Sequence, residues 1–287
     1  MPHLAPATDL YSALRHSGAA PEDLPALIAG SDPETARRLR SVDQALLRAV
    51  LRAGQGGPAI ANAPAIFAAL ARMPTAPLFL PDVGTRPTLA LLTNGEHPDM
   101  PAFSDPAFDA WFAAQGVDYG IGTYGEDRSV YRTAQFADQA SPERRTRHLG
   151  IDIFAPAGTP LYAPLGGTVR HVAYNADPLD YGNTLILEHV ADGLPFFTLY
   201  GHLAASLTGL LHEGMQVAPG QLIAHLGDWH ENGGWAPHVH MQIMTDMLEQ
   251  ASGNFFGVGH NSLWDIWASI CPDPNLILRL PEGAFHP

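Results

Sequence analysis

His148 and Asp152 stand four residues apart, and His238 and His240 two apart about ninety residues later. Histidine and carboxylate side chains are what a zinc ion takes as ligands. Residues two apart on a strand share a face, so His238 and His240 can both point into one site. His148 and Asp152 cannot both reach one ion from a fully extended strand, because four residues span roughly 13 Å. A helix would bring them together, but Gly150 and the run Ala155-Pro156-Ala157-Gly158-Thr159-Pro160 are poor helix material. The chain must therefore bend near Gly150 and fold the aspartate back beside the histidine. Two histidines and one carboxylate leave the fourth tetrahedral position open, the pattern of a catalytic rather than a structural zinc site.

Several ordered blocks surround these residues. They are His148-Leu149-Gly150-Ile151-Asp152, Gly158-Thr159-Pro160-Leu161-Tyr162-Ala163-Pro164, and Gly166-Gly167-Thr168-Val169. Leu199-Tyr200-Gly201-His202-Leu203 follows, then Gly214-Met215-Gln216-Val217 with Pro219-Gly220-Gln221, then His238-Val239-His240. In order and spacing across residues 145–245 they resemble the lysostaphin/LytM family of zinc metallopeptidases. The resemblance implies one bound Zn2+, with His148, Asp152 and His240 as ligands. It implies His238 as general base and His202 as a second non-ligand histidine that steadies the oxyanion or orients the water. A rival role for His238 is a fourth ligand that closes the site. The implied reaction is hydrolysis of peptide bonds by a zinc-activated water, in a peptide or muropeptide substrate of the peptidoglycan type.

Two other functions compete with that one. A cytosolic zinc amidase acting on a small amide or recycled peptide keeps the same chemistry. A non-catalytic, zinc-stabilised binding or regulatory module keeps only the metal, although such modules are expected to lack a ligand or the base, and here all five positions are filled. The loop Asp228 to Pro237 bears on substrate choice, because it is bulkier, more acidic and more aromatic than the Gly/Ser/Thr-rich loop usual in the family. Its His230 and Glu231 are weighed as parts of an altered pocket against simple loop drift. His171, His189, His212 and His225 are read as structural.

The elements that must position these residues follow from pattern. Chain length, 287 residues, allows a proper core, and the net charge of −14 argues against phosphate-backbone binding and offers no basic patch to anionic lipid. All 15 basic residues are arginine, so lysine Schiff bases and Walker-type phosphate loops are excluded. The Ala163-Pro164…Gly166…Val169 turn also occurs in biotinyl/lipoyl-type folds, and the lack of lysine disfavours them too. Cys271 is the single cysteine, which excludes an intrachain disulfide and reads as a buried apolar residue. No signal peptide or membrane-spanning run is apparent, so no membrane insertion is expected; the expected compartment is cytoplasmic, or periplasmic if the substrate is peptidoglycan.

The expected fold class is α+β: an antiparallel β-sandwich or hybrid-motif catalytic domain with a small helical N-terminal region. Four pieces are expected. Residues 1–75 are helical, with one amphipathic helix capped by Asp32 and carrying Leu39, Val42, Leu46, Val50 and Leu51 to Gly54, and another over 60–73. Arg37, Arg38, Arg40, Arg48 and Arg52 fall mostly on its solvated face. Residues 76–140 are a Pro/Gly-rich connection with a short strand at Leu89–Thr93 closed by an Asn94-Gly95 turn, and a helical turn at 109–114. Within it, Gly120-Ile121-Gly122-Thr123-Tyr124-Gly125 matches the dinucleotide fingerprint only as a string and reads as a glycine-rich turn. Tyr131, Arg128 and Arg132 are candidates for the cleft border, with structural roles the more expected. Residues 141–250 form the β-rich metallopeptidase domain, and 251–287 a C-terminal extension with a short helix over 262–270.

Overall fold

Asp32 and Asp43 decide where two of the N-terminal helices begin. In the computed structural model, which describes residues 3–93, 95–128 and 136–286, five short helices come first. They are α1 (Leu10–Arg15), α2 (Leu24–Gly30), α3 (Pro33–Arg40), α4 (Gln44–Gly54) and α5 (Ala63–Leu70). Asp32 caps α3, its carboxylate accepting from Glu34 and Thr35 N–H. The single helix expected to run to Gly54 is broken, because Asp43 does the same for Ala45 and Leu46 and starts α4. Each such cap is worth about 1 kcal/mol. Arg37 and Arg40 are exposed, as the solvated-face expectation has them, but Arg38 departs from it: it donates to Ala7 O and Thr8 O at 2.7 Å each and to Gln139 O at 2.8 Å. It ties the start of the chain to the segment before the metal motif.

Next come β1 (Thr88–Ala90), α6 (Ala107–Ala114) and β2 (Tyr119–Gly122). The Gly120–Gly125 string is therefore not simply a turn, since its first half is a fully buried strand. A Cβ on Gly122 would come within 2.5 Å of the Arg128 guanidinium, so glycine serves close packing here. The expected Asn94-Gly95 turn, and Tyr131 and Arg132, fall wholly or partly outside the described residues.

The remaining strands are β3 (Arg147–His148), β4 (Ile151–Phe154), β5 (Pro160–Tyr162), β6 (Gly167–Asn175), β7 (Gly182–Ala191) and β8 (Leu194–Leu203). After α7 (Leu207–Leu210) follow β9 (Gln216–Val217), β10 (Leu222–His225), β11 (His238–Met244) and β12 (Val258–Gly259). Helices α8 (Trp264–Ile270) and α9 (Asn275–Leu278) end the order. Eight strands make one sheet in the order β1-β2-β4-β11-β8-β7-β6-β9, antiparallel except for β1 with β2. β5 with β10 and β3 with β12 form two small antiparallel pairs. The class is α+β, as expected.

Period-two alternation on β11 sorts its side chains. Val239, Met241 and Ile243 enter a core shared with Ile151 and Ile153 of β4 and with Leu161, Ile223 and Ala224 of the β5–β10 pair. On the other face of the sheet, Ile186, Leu199 and Met244 join a second core built with α1, α2, α3, α4 and α8. His238, His240 and Gln242 alternate onto that helix-covered face. Among the described residues no helix is long and apolar enough to cross a membrane.

Candidate metal centre

Three strands and one bend place the site. His240 on β11 lies opposite Asp152 on β4 and, on its other side, opposite Gly201 on β8. Between β3 and β4 the chain turns at Leu149-Gly150, so His148 pairs with β12 while Asp152 pairs with β11. This is the bend the four-residue spacing required. A Cβ at Gly150 would fall 2.5 Å from His240 Cε1 and 2.7 Å from its Nε2, so glycine leaves the room that the imidazole occupies.

His148 Nε2, Asp152 Oδ1 and His240 Nδ1 converge. The separations are 3.1 Å between the two imidazole nitrogens, 3.0 Å from His240 Nδ1 to Asp152 Oδ1 and 3.2 Å from His148 Nε2 to that oxygen. Zinc bonds near 2.0–2.1 Å in a tetrahedron put ligand atoms about 3.3 Å apart, so the trio fits such an ion without rearrangement. All three residues are buried. Their outer atoms are occupied by partners that orient them. His148 Nδ1 donates to Thr123 O at 2.8 Å, which leaves Nε2 with its lone pair for a metal. His240 Nε2 donates to Gln242 Oε1 at 2.9 Å, and Gln242 Nε2 donates in turn to Phe256 O at 3.0 Å, which fixes the amide's orientation. Asp152 Oδ2 accepts from Arg128 Nη1 at 2.6 Å.

The other two predicted histidines flank the trio. His238 stacks on Phe154, ring centroids 4.6 Å apart, and lies 4.3 Å from the ring of His202. A carbonyl oxygen can only accept, so the tautomers follow: His238 Nδ1 donates to Ala236 O and His202 Nδ1 to Asn232 O, both at 2.7 Å. Each Nε2 is then unprotonated. His238 Nε2 stands 3.9 Å from Asp152 Oδ1, beyond the edge of a zinc tetrahedron, which disfavours the fourth-ligand role. His202 holds a left-handed φ of 63°, a conformation that a non-glycine residue adopts at some cost.

Burial sets the charge states. It lowers His238 to about 4, and burial together with the Arg128 cation lowers His148 to about 4. His202 is pushed well below the usual imidazole range, by burial first and by His238 second. Burial pushes the Asp152 carboxyl up, but its surroundings of His148, Arg128 and His240 outweigh burial and hold Asp152 well below the usual range. Asp152 is thus held as a carboxylate, and His148, His202 and His238 as neutral rings, which suits the binding of a metal.

A cavity of about 380 Å³ opens over these groups, with Phe103, Tyr181, Trp235, Asn254 and Phe256 in its walls. Tyr181 was missed by sequence reasoning; its ring lies 5.2 Å from His240 and 5.6 Å from His202. Arg128, Gln242 and Thr123 hold Asp152, His240 and His148 from outside, and of the three only Arg128 is a candidate from the sequence. In the atypical 228–237 loop, Glu231 accepts from Ala205 N at 2.7 Å and Asp228 N at 3.1 Å, and His230 is exposed. Neither lines the cavity. The loop's contributions are Trp235 and the buried Asn232, whose carbonyl holds His202. His189 is buried between Gly166 O and Thr198 Oγ1, and His171 contacts Glu213. Cys271 is buried, and its thiol is pushed up by that burial, out of nucleophile range.

Residues 146–252 match the model of peptidase family M23. An uncharacterised metalloprotease of Haemophilus influenzae is 34% identical over 121 residues, covering 40% of this chain and 23% of that protein. An uncharacterised lipoprotein of Escherichia coli, YgeR, is 40% identical over 78 residues, covering 27% of this chain and 28% of that one. The chain thus spans about a quarter of the length of these curated relatives. The catalytic domain of lysostaphin from Staphylococcus simulans aligns with a TM-score of 0.34 at 21% identity, over 54% of this chain and 96% of that one. The ordered motifs and the His/Asp/His cluster all lie within the segment that matches peptidase family M23.

Proposed function

We propose that this chain is a zinc-dependent peptidase that hydrolyses amide bonds in peptides of the peptidoglycan type. The observation that carries the reading is the convergence of His148 Nε2, Asp152 Oδ1 and His240 Nδ1 at tetrahedral spacing beside two neutral, oriented histidines. Zinc held there would acidify a water and polarise the scissile carbonyl. His238 presents an unprotonated Nε2 towards the ligands, so it takes the water's proton and returns it to the leaving amine. His202 also presents a lone pair rather than an N–H, because its only proton is committed to Asn232 O. Of its two implied roles, this favours orienting the water over donating to an oxyanion. Tyr181 and Trp235 in the cavity wall exclude solvent and seat the substrate.

The cavity volume favours a second reading of substrate size. At about 380 Å³ it suits a short peptide or small N-acyl amide. The two readings part in one screen. Zinc-loaded protein is incubated with muropeptides and with small N-acyl amides, with and without chelator. The expected result is chelator-sensitive cleavage of muropeptides that zinc restores. Cleavage of the small amides alone selects the second reading, and turnover no faster than a His202/His238 double variant of either class would leave a non-catalytic zinc module. Recovery of the protein with the cell envelope accords with the first reading, and recovery from the cytosol with the second.

A further inference from the structure

We infer that Arg128 is the positioning residue that makes Asp152 a one-oxygen ligand, with Glu126 holding Arg128 in place and offsetting its charge. The inference rests on the zinc reading above. The two oxygens of Asp152 face different partners: Oδ1 lies with His148 Nε2 and His240 Nδ1, whereas Oδ2 accepts from Arg128 Nη1 at 2.6 Å. The guanidinium is only 2% exposed, and its Nε donates to Glu126 Oε2 at 2.9 Å. Glu126 is itself pinned, since its Oε1 accepts from Thr93 N at 2.6 Å and Thr93 Oγ1 at 2.8 Å. Strand β2 is cut away to allow this. Gly122 lies opposite Asp152, and a Cβ there would stand 2.5 Å from Arg128 Nη2 and 3.0 Å from Asp152 Cβ.

Charge alone argues against placing an arginine beside a dication, because repulsion weakens metal binding. Glu126 answers that objection, since its −1 cancels the +1 of Arg128 at 2.9 Å. What remains is geometric. A carboxylate free at Oδ2 can rotate or bind through both oxygens, whereas one clamped there offers Oδ1 alone and leaves the fourth position of the ion open. The clamp comes from residues N-terminal to the matched family segment, which starts at residue 146.

The test uses the full chain, with zinc affinity measured by competition with a chromogenic chelator and geometry read from the visible spectrum of the Co2+-substituted protein. The informative variant is the Glu126→Gln/Arg128→Met pair, which removes both charges so that neither is left buried alone. We expect it to fold by circular dichroism, to bind Zn2+ 10- to 100-fold more weakly, and to give a weaker Co2+ band as Asp152 chelates through both oxygens. Arg128→Lys should recover part of the affinity, because it keeps the charge and one donor. A folded double variant with Zn2+ affinity within twofold of wild type and an unchanged Co2+ spectrum overturns the inference while leaving the zinc reading intact. Failure of the wild-type chain to bind one Zn2+ overturns both. If the double variant does not fold, Gly122→Ala displaces the guanidinium without removing a charge, and unchanged affinity and spectrum in that protein would equally overturn the inference.

Discussion

Asp152 and His240 are direct cross-strand partners on β4 and β11, so backbone register, rather than a loop, sets the distance between two of the three groups proposed to hold the metal. The 3.0 Å contact between Asp152 Oδ1 and His240 Nδ1 follows from that pairing. Asp152→Ala therefore removes a ligand without disturbing β11. The variant should bind no stoichiometric zinc, whereas the wild type at zinc concentrations about 100-fold above Kd gains about 2.7 kcal/mol of stability. Melting curves with and without chelator check this: the wild-type midpoint should fall by several degrees and that of Asp152→Ala should not move. Equal responses would mean that the metal is held elsewhere.

Gly150→Ala should cost metal rather than fold. The added methyl would lie 2.5 Å from His240 Cε1 and 2.8 Å from Met241 O, and a side chain shifts at less cost than strand backbone, so the imidazole is the group displaced. We expect zinc affinity to drop at least tenfold with a modest loss of stability, measured by chelator competition and thermal melting. Affinity equal to wild type would show that Gly150 is needed only for the chain's bend.

The convergence of His148, Asp152 and His240 was legible because they sit on strands with a period of two and on a spacing that only a bend can satisfy. His238 and His240 read as one face from the sequence, and the turn at Gly150 followed from poor helix formers around it. Arg128 was not legible as a partner of Asp152, because its contact joins residues 24 apart across β2 and depends on the missing side chain of Gly122. Tyr181 precedes a strand and carries no spacing signal, yet the absence of a side chain at Gly201 lets its ring pack beside the site. In the helical region, the Asp32 cap was legible but the break at Asp43 was not. The apolar stripe from Leu39 to Leu51 continues through the interruption, and periodicity alone is blind to a second cap.

His238→Ala separates chemistry from binding. The ring donates to Ala236 O and aims Nε2 at the ligand group without joining it, so its loss should leave one zinc per chain. Loss of a general base lowers turnover by about 10²–10⁴-fold. Steady-state kinetics on a cleaved peptide, paired with metal analysis of the same sample, check the outcome. Loss of zinc with His238→Ala would restore the fourth-ligand role.

The protein should lose stability in mild acid through a histidine remote from the metal. His189 donates from Nδ1 to Gly166 O and accepts at Nε2 from Thr198 Oγ1, both at 2.8 Å, so its neutral form is fully satisfied. Burial lowers its pKa to about 4, against about 6.5 in an unfolded chain. A depressed value means that the unfolded state binds the proton first, so the full contribution is present above pH 6.5 and fades as pH falls towards 4. The difference corresponds to roughly 3 kcal/mol of order-of-magnitude linkage at the acid end. Denaturant melts of the metal-free chain between pH 7.5 and 4.5 should therefore show a slope that flattens by up to one proton in His189→Leu. That variant also removes Thr198's partner, so its stability at pH 7.5 will be lower, but the change in slope is independent of that offset. An identical slope in the two proteins would mean that His189 already titrates normally in the folded state.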